Sequence, residues 1–151
     1  MTKYLIKKID EINWKSVSEL TVHPSQKDFI EPNAESLLEA AYDKRHDWVP
    51  LALYKDQTLV GFTMIGGFNK KDSYIWLDRF MLDEEFQGQG LSKPFMKKIM
   101  AFIKDIWDAD TIVLSIEPAN IKARRLYEQL GFTKNGMIDP NNNEELMEYE
   151  Y

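Results

Sequence analysis

The most informative part of the sequence is Phe80-Met81-Leu82-Asp83-Glu84-Glu85-Phe86-Gln87-Gly88-Gln89-Gly90-Leu91-Ser92-Lys93, which runs from an apolar strand through a glycine-bearing loop into a helix. Pro94 fits only the first turn of a helix, so the helix is predicted to begin near residues 91–93. Gly88 and Gly90 lack a Cβ atom, so the backbone N–H groups can approach an anion closely. The helix N-terminus adds unpaired donors and a partial positive charge. The stretch therefore predicts a loop that binds a phosphate or pyrophosphate.

Two common phosphate-binding motifs do not fit this loop. A Walker loop ends in Gly-Lys-Ser/Thr, which is missing here. A dinucleotide fingerprint needs a third glycine where Lys93 stands, and it belongs to an early strand–helix unit. On the glycines alone, a tight turn without a ligand remains the alternative.

The rest of the chain alternates between strand and helix patterns. Apolar residues recur at helical spacing from Phe95 to Trp107. Residues 111–116 are nearly all apolar, which is typical of a strand covered on both faces. Asn120 and Gly131 bracket a further helix. The other predicted elements are strands at residues 4–9, 51–55, 59–65, 74–82 and 145–151, helices capped by Asn13 and Asn33 (the second carrying Leu37, Leu38, Ala41 and Tyr42), and a polar loop at residues 23–32.

The order of these elements predicts the fold class. It reads strand, two helices, three strands, helix, strand, helix and a terminal hairpin around the turn at residues 139–143. Such an order gives one mixed β-sheet with helices on both faces, an α/β sandwich. With 151 residues, the chain is expected to form a single domain over residues 1–151.

Composition excludes several classes of function. The chain has no cysteine, which rules out disulfides, zinc–thiolate sites, iron–sulfur clusters and a cysteine nucleophile. It has 19 basic and 25 acidic residues and a net charge of −6, without the basic cluster that nucleic acids require. No signal peptide or membrane-spanning run is present, so the expected location is the cytoplasm.

Two motifs resemble those of the GNAT superfamily of N-acetyltransferases. Gln87-x-x-Gly90-x-Ser92 resembles the Arg/Gln-x-x-Gly-x-Gly/Ala signature that binds the pyrophosphate of acetyl-CoA, with Ser92 in place of the usual Gly or Ala. Residues 120–132 are similar to the pattern Asn-x-x-Ala-x-x-x-Tyr-x-x-x-Gly-Phe. The resemblance covers nearly the whole chain and implies a GNAT-like fold, acetyl-CoA as cosubstrate and no metal.

Within that superfamily the chain most resembles the bacterial spermine/spermidine (diamine) acetyltransferases. The residues that carry this finer resemblance are Trp76–Phe80, Phe29–Glu31 and Val60–Phe62. It implies a polyamine substrate and a homodimer. Because the chain has no cysteine, direct attack of the amine on acetyl-CoA in a ternary complex is the simplest route.

The resemblance also assigns roles in acetyl-CoA binding and acid catalysis. Tyr127 lies two helical turns after Asn120, on the same face of the helix. The resemblance implies that Tyr127 is a general acid that protonates the departing thiolate. The resemblance implies that Asn120 contacts the pantetheine arm, although a role as helix cap alone would also explain an asparagine at this position. The other implied cofactor contacts are Phe80, Met81 and Leu82 beside the pantetheine arm, and Gln87, Gly88, Gln89, Gly90, Leu91, Ser92 and Lys93 around the pyrophosphate.

Asp78 is the most informative charged residue, because it interrupts an apolar strand. A carboxylate there must be paired or line a cavity. It is expected either to accept a proton from the substrate ammonium, directly or through water, or to form an ion pair with a nearby Arg or Lys. By resemblance, Glu31 would hold a distant ammonium, and Trp76 would lie against the alkyl chain.

Two other functions remain open from the sequence. The acceptor could be another amine, such as an aminoglycoside, a small amine or a protein lysine. The chain could also be an acyl-CoA-binding sensor that has lost catalysis, although its Asp78 and Tyr127 argue against that reading.

Overall fold

Seven strands form one sheet in the order β1-β2-β3-β4-β5-β7-β6. The structure is a computed structural model that describes residues 1–151. Neighbouring strands are antiparallel except β4 and β5, which are parallel. The strands are β1 (Tyr4–Lys8), β2 (Val49–Lys55), β3 (Thr58–Asn69), β4 (Tyr74–Leu82), β5 (Thr111–Ile116), β6 (Thr133–Ile138) and β7 (Glu145–Glu150), and the helices are α1 (Trp14–Glu19), α2 (Asn33–Tyr42), α3 (Ser92–Trp107) and α4 (Ile121–Gln129).

Apolar cores lie on both faces of this sheet, as the sequence predicted. The larger core packs α3 and α4 against one face and includes Phe95, Ile99 and Phe132, all almost completely buried. The smaller core packs α1 and α2 against the other face around Phe62 and Val17. The α/β fold class with helices on both faces is therefore confirmed. None of the helices has the length and apolarity needed to cross a membrane.

The parallel strands β4 and β5 separate along their length. Their pairing begins at Tyr74↔Thr111 and ends at Trp76↔Val113, although β4 continues to Leu82. On its other side, β5 remains paired with β7 throughout. The carboxyl-terminal half of β4 therefore has no strand beside it on the β5 side, and a cleft opens there.

A β-bulge at Asp78 lies where this cleft begins. Leu77 is opposite Ile65 and Arg79 is opposite Met64, so Asp78 has no partner on β3. The carbonyl of Arg79 accepts a hydrogen bond from the buried Thr63 hydroxyl at 2.7 Å, which fixes the bulge. A bulge bends its strand and re-aims the extra side chain. This explains how a carboxylate interrupts an otherwise apolar strand.

The two N-terminal helices differ in detail from the prediction. Asn13 does not cap α1, because its side-chain oxygen instead accepts a hydrogen bond from the Asp10 N–H at 2.9 Å. In α2, Leu38 and Tyr42 are mostly exposed, whereas Asn33 and Ser36 are buried. The Asn33 amide donates to the Val17 carbonyl at 3.0 Å, which turns this polar face toward α1.

Candidate active site

A cavity of about 760 Å³ occupies the cleft between β4 and β5. It extends from the loop before α3, past the bulge, to the turn between β6 and β7. The predicted site residues that line it are Glu31, Trp76, Asp78, Phe80, Met81, Leu82, Gln87, Gly88, Gly90, Leu91, Ser92, Lys93, Asn120 and Tyr127. Gln89 is the predicted residue that does not line the cavity.

The loop before α3 presents unpaired backbone donors. No N–H group from Gly88 to Leu91 donates to another group of the chain, and no side chain caps α3. Gly88 and Gly90 have φ values of 74° and 73°, a region that favours glycine, and a Cβ atom at either position would meet nothing within 4 Å. The loop and the helix N-terminus thus form an open cradle for an anion.

The two glutamines of this loop have different surroundings. The Gln87 side chain donates to the Leu82 carbonyl at 2.9 Å and to the Gln26 side chain at 3.2 Å, so it ties the loop to the end of β4. The Gln89 side chain donates to the Glu85 carbonyl at 3.1 Å, outside the cavity. Only the backbone of Gln89 therefore belongs to the cradle.

The exposed edge of β4 supplies further backbone groups. The Asp83 N–H donates to the Val60 carbonyl at 2.8 Å. Because main-chain groups alternate along a strand, those of Met81 point to β3, whereas those of Phe80 and Leu82 face the cleft. Gln87 already occupies the Leu82 carbonyl. The backbone of Phe80 is therefore the main free contact on this edge, and Met81 contributes its buried side chain rather than its backbone.

Asn120 and Tyr127 lie on α4 at the opposite wall. The Asn120 side chain accepts a hydrogen bond from the Ala123 N–H at 3.2 Å, so Asn120 caps α4 as well as lining the cavity. Tyr127 is 9% exposed and packs its ring 5.6 Å from that of Phe132. Burial raises the pKa of Tyr127 to about 12, so its hydroxyl keeps its proton at physiological pH. That hydroxyl has no hydrogen-bond partner within the chain, which leaves its proton available to a ligand.

Asp78 is held in the cavity wall by an ion pair with Arg79. Burial raises the pKa of Asp78 to about 6; Arg79 opposes that increase, and the nearby Glu39, Glu31 and Glu144 add to it. Asp78 is therefore mostly ionised at neutral pH, yet able to take up a proton. Asp78 thus forms the expected ion pair and also lines the cavity, while its role as proton acceptor stays a prediction.

Glu31 and Trp76 contribute to the same end of the cavity. Glu31 Oε2 lies 3.1 Å from Arg79 Nε, and the Glu31 side chain is 52% exposed. Trp76 is half-buried beside Gly67, where an added Cβ would lie 2.9 Å from its ring. Its indole thus packs against the backbone and faces the cavity at once.

The cavity is also lined by three acidic residues that the sequence analysis did not identify. Glu144 accepts a hydrogen bond from the Ser115 hydroxyl at 2.8 Å, and Glu117 and Asp139 lie near it. Burial, opposed by the Ser115 hydrogen bond, raises the pKa of Glu144, and the charges of Glu31, Glu117 and Asp139 raise it further. These residues come from the end of β5 and the β6–β7 turn, so no local motif marks them.

The cavity thus joins an anion cradle at one end to a group of carboxylates at the other. No group of three or more His, Cys, Asp or Glu side chains has the arrangement of a metal site. Tyr127, with a protonated phenol, and Asp78, with an ionisable carboxylate, line the same cavity. This arrangement fits a ligand with phosphates at one end and a cationic ligand that reaches the same reaction centre from the other.

Comparison with known proteins shows the family to which the chain is similar in sequence. The sequence pattern of the Acetyltransferase (GNAT) family matches residues 10–132. The chain is 36% identical over 141 residues to the spermine/spermidine N(1)-acetyltransferase of Bacillus subtilis (strain 168), an alignment that covers 90% of this chain and 91% of that protein.

Solved structures are similar in fold. A spermidine N-acetyltransferase from Vibrio cholerae, in complex with CoA and spermine, matches with a TM-score of 0.77 and 15% identity over 97% of this chain and 95% of that one. A dodecameric structure of spermidine N-acetyltransferase from Vibrio cholerae matches with a TM-score of 0.73 and 15% identity over 97% and 93% of the two chains.

Proposed function

Because the chain belongs to the Acetyltransferase (GNAT) family, we propose that it transfers the acetyl group of acetyl-CoA to a primary amine of a polyamine such as spermine or spermidine. The observation that carries the proposal is one cavity with an anion cradle at one end and unneutralised carboxylates at the other. A polyamine is a flexible polycation, so it needs spaced carboxylates and apolar walls. The single acetyltransferase domain spans residues 1–151 in this proposal.

The residues present fit acetyl-CoA. The backbone donors from Gly88 to Lys93 would hold the pyrophosphate, and the Phe80 backbone would contact the pantetheine arm and the thioester carbonyl. When bound, acetyl-CoA supplies an acetyl group activated as a thioester. The Tyr127 hydroxyl supports the same assignment, since Tyr127 lines the cavity and its hydroxyl has no acceptor within the chain.

Asp78 and Tyr127 divide the proton transfers. Asp78 takes a proton from the substrate ammonium, directly or through water, which frees the nitrogen lone pair for attack. That proton is held with a pKa of about 10, typical of an alkyl ammonium, so its removal is a substantial barrier. Tyr127 gives its proton to the departing thiolate. This pair of roles argues against a sensor without catalysis.

Asp78→Asn is expected to lower kcat/KM for spermidine by about 10²-fold, in the range for loss of a general base. The shape of the side chain is kept, and Arg79 retains Glu31 and Glu39 as partners. Affinity for acetyl-CoA should hardly change. Thiol release from acetyl-CoA with varied spermidine measures the effect. Asp105→Asn, on the exposed face of α3, is the matched control, and full efficiency of Asp78→Asn would refute the proton-acceptor role.

The pH dependence of the wild-type enzyme tests the same group. Asp78 accepts a proton only when ionised, so kcat/KM should fall as the pH drops through about 6. The product of the reaction should be monoacetylated spermidine by mass spectrometry. No acetylated polyamine at saturating acetyl-CoA would contradict the proposed function.

We also propose a homodimer. The strands at the two ends of the sheet, β1 and β6, each have an unpaired edge, and Met137 and Ile138 on β6 are 61% and 59% exposed. Light scattering at micromolar concentration should give twice the 17.8 kDa mass of the chain, and a particle of one chain mass would refute the dimer. A cytoplasmic location belongs to the same proposal, since acetyl-CoA is an intracellular metabolite.

A further inference from the structure

Arg79 is a largely buried cation that contacts three carboxylates at once. Its side chain is 12% exposed. Nη1 pairs with Asp78, Nη2 lies 3.1 Å from Glu39 Oε2, and Nε lies 3.1 Å from Glu31 Oε2. These carboxylates come from the bulge of β4, from α2 and from the loop before α2. The two Nη nitrogens donate hydrogen bonds to Asp78 and Glu39, whereas Nε is within ion-pair distance of Glu31 but makes no hydrogen bond.

We propose that Arg79 is a positioning residue for acetyl transfer, which orients the Asp78 carboxylate at the cavity wall and keeps it ionised by supplying its counter-charge. This inference rests on the proposed function, in which Asp78 accepts the proton of the substrate amine. Arg79 itself stays charged and is not expected to contact the reacting atoms. It acts through the Asp78 carboxylate.

The charges around Asp78 make the role of Arg79 specific. From the neighbouring elements, Glu39 on α2, Glu31 before α2 and Glu144 at the β6–β7 turn all disfavour ionisation of Asp78. On β3, the strand packed against the bulge, Met64 and Ile65 bring no charge. Arg79 is the cation that opposes these effects and the effect of burial. Without it, Asp78 would remain protonated over more of the neutral range.

The same contacts restrict which cavity carboxylates meet the substrate. Glu31 and Glu39 each contact the guanidinium, so their charge is already partly compensated. Glu144, Glu117 and Asp139 have no ion pair within the chain. The incoming ammonium is therefore drawn toward Asp78 from the Glu144 side rather than toward Glu31.

Lysine cannot replace all of these contacts. A guanidinium is planar and presents donors in several fixed directions, whereas an ammonium is a compact point charge. Arg79→Lys should thus restore the charge beside Asp78 without holding all three carboxylates. Arg79→Gln removes the charge but keeps a donor. The two variants separate electrostatics from geometry.

The test is the titration of the Asp78 carboxyl by NMR in ¹³C-labelled protein without substrate, with Asp78→Asn to assign the signal. In Arg79→Gln the midpoint should rise by about one pH unit or more, the usual effect of losing an opposite charge at this distance. In Arg79→Lys the midpoint of the Asp78 titration should lie close to that of the wild type. The acid limb of kcat/KM for spermidine should move in the same direction. Arg125→Gln, an exposed arginine on α4, is the control with the same loss of charge.

Glu39→Gln keeps the inference testable should Arg79→Gln fail to fold. It removes a carboxylate that competes for Arg79, so the Asp78 midpoint should fall. An unmoved midpoint in folded Arg79→Gln, or in Glu39→Gln, would overturn the inference and leave Arg79 as a structural link between α2 and the sheet. Because the titration needs no acetyl transfer, a wrong assignment of the polyamine substrate would not produce that result.

Discussion

Tyr127→Phe should lower kcat by about 10²–10⁴-fold, the range expected for loss of a general acid. The substitution removes only the hydroxyl group. Because this hydroxyl has no hydrogen-bond partner within the chain, its loss leaves no buried group unpaired. The phenyl ring keeps its contact with Phe132. Acetyl-CoA affinity and the unfolding midpoint should therefore stay close to those of the wild type.

This result requires a condition in which the chemical step limits turnover. Single-turnover acetyl transfer at saturating spermidine measures it directly. Tyr149→Phe is the matched control, because the Tyr149 ring also packs against Phe132, 5.5 Å between ring centroids, but Tyr149 does not line the active-site cavity. Wild-type turnover in Tyr127→Phe would assign Tyr127 to the core alone.

Gly90→Glu should abolish measurable acetyl-CoA binding. The substitution puts a carboxylate into the cradle where the pyrophosphate is expected, and like charges brought together cost several kcal/mol, or about 10³-fold in affinity. The space around a Cβ atom at Gly90 is open, so the side chain meets no steric clash. Calorimetric titration with acetyl-CoA measures the loss, and circular dichroism should remain native.

Gly136→Glu separates this effect from backbone strain. Gly136 lies in β6, has a φ of 80°, and also has open space at its Cβ position. It therefore carries the same conformational penalty and the same added charge, away from the active-site cavity. Gly136→Glu should bind acetyl-CoA normally. Unchanged affinity in Gly90→Glu, or an equal loss in Gly136→Glu, would argue against the phosphate cradle.

The cradle was predictable because its physics is local in sequence. Glycines that adopt positive φ, a proline limited to the first helical turn and a long amphipathic helix lie within one stretch, so Gly90 and Pro94 define it without tertiary information. The same holds for Asn120 and Tyr127, which one helix brings to one wall. For these residues, spacing alone determines which face they share.

The acidic end of the cavity was only partly predictable. Asp78 was recognisable as a charge in an apolar strand, but its bulge depends on the register with β3. Glu39 and Glu144 reach Asp78 from α2 and from the β6–β7 turn, far away in sequence. Such proximity follows from the packing of separate elements, which no local pattern encodes.

The faces of short helices were also difficult to predict. Of the apolar residues that the sequence places on α2, Leu37 packs against the smaller core, whereas Leu38 and Tyr42 are mostly exposed, and Asn33 and Ser36 are buried. The hydrogen bond from Asn33 to the Val17 carbonyl compensates for burial of the amide. A long-range polar contact therefore lies on the buried face of α2 beside the apolar contact of Leu37.

The ratio of kcat/KM for spermidine to that for butylamine distinguishes a polyamine acetyltransferase from an enzyme that accepts any primary amine. Both present a primary amine on an alkyl chain, but butylamine lacks the additional ammonium groups that the carboxylates of the cavity would bind. A hydrogen bond between charged groups contributes about 1.5–3 kcal/mol, so even one such contact should make the ratio at least roughly 10–100, and the ratio should shrink as salt screens the charges. A butylamine value equal to or above that for spermidine would contradict the polyamine assignment.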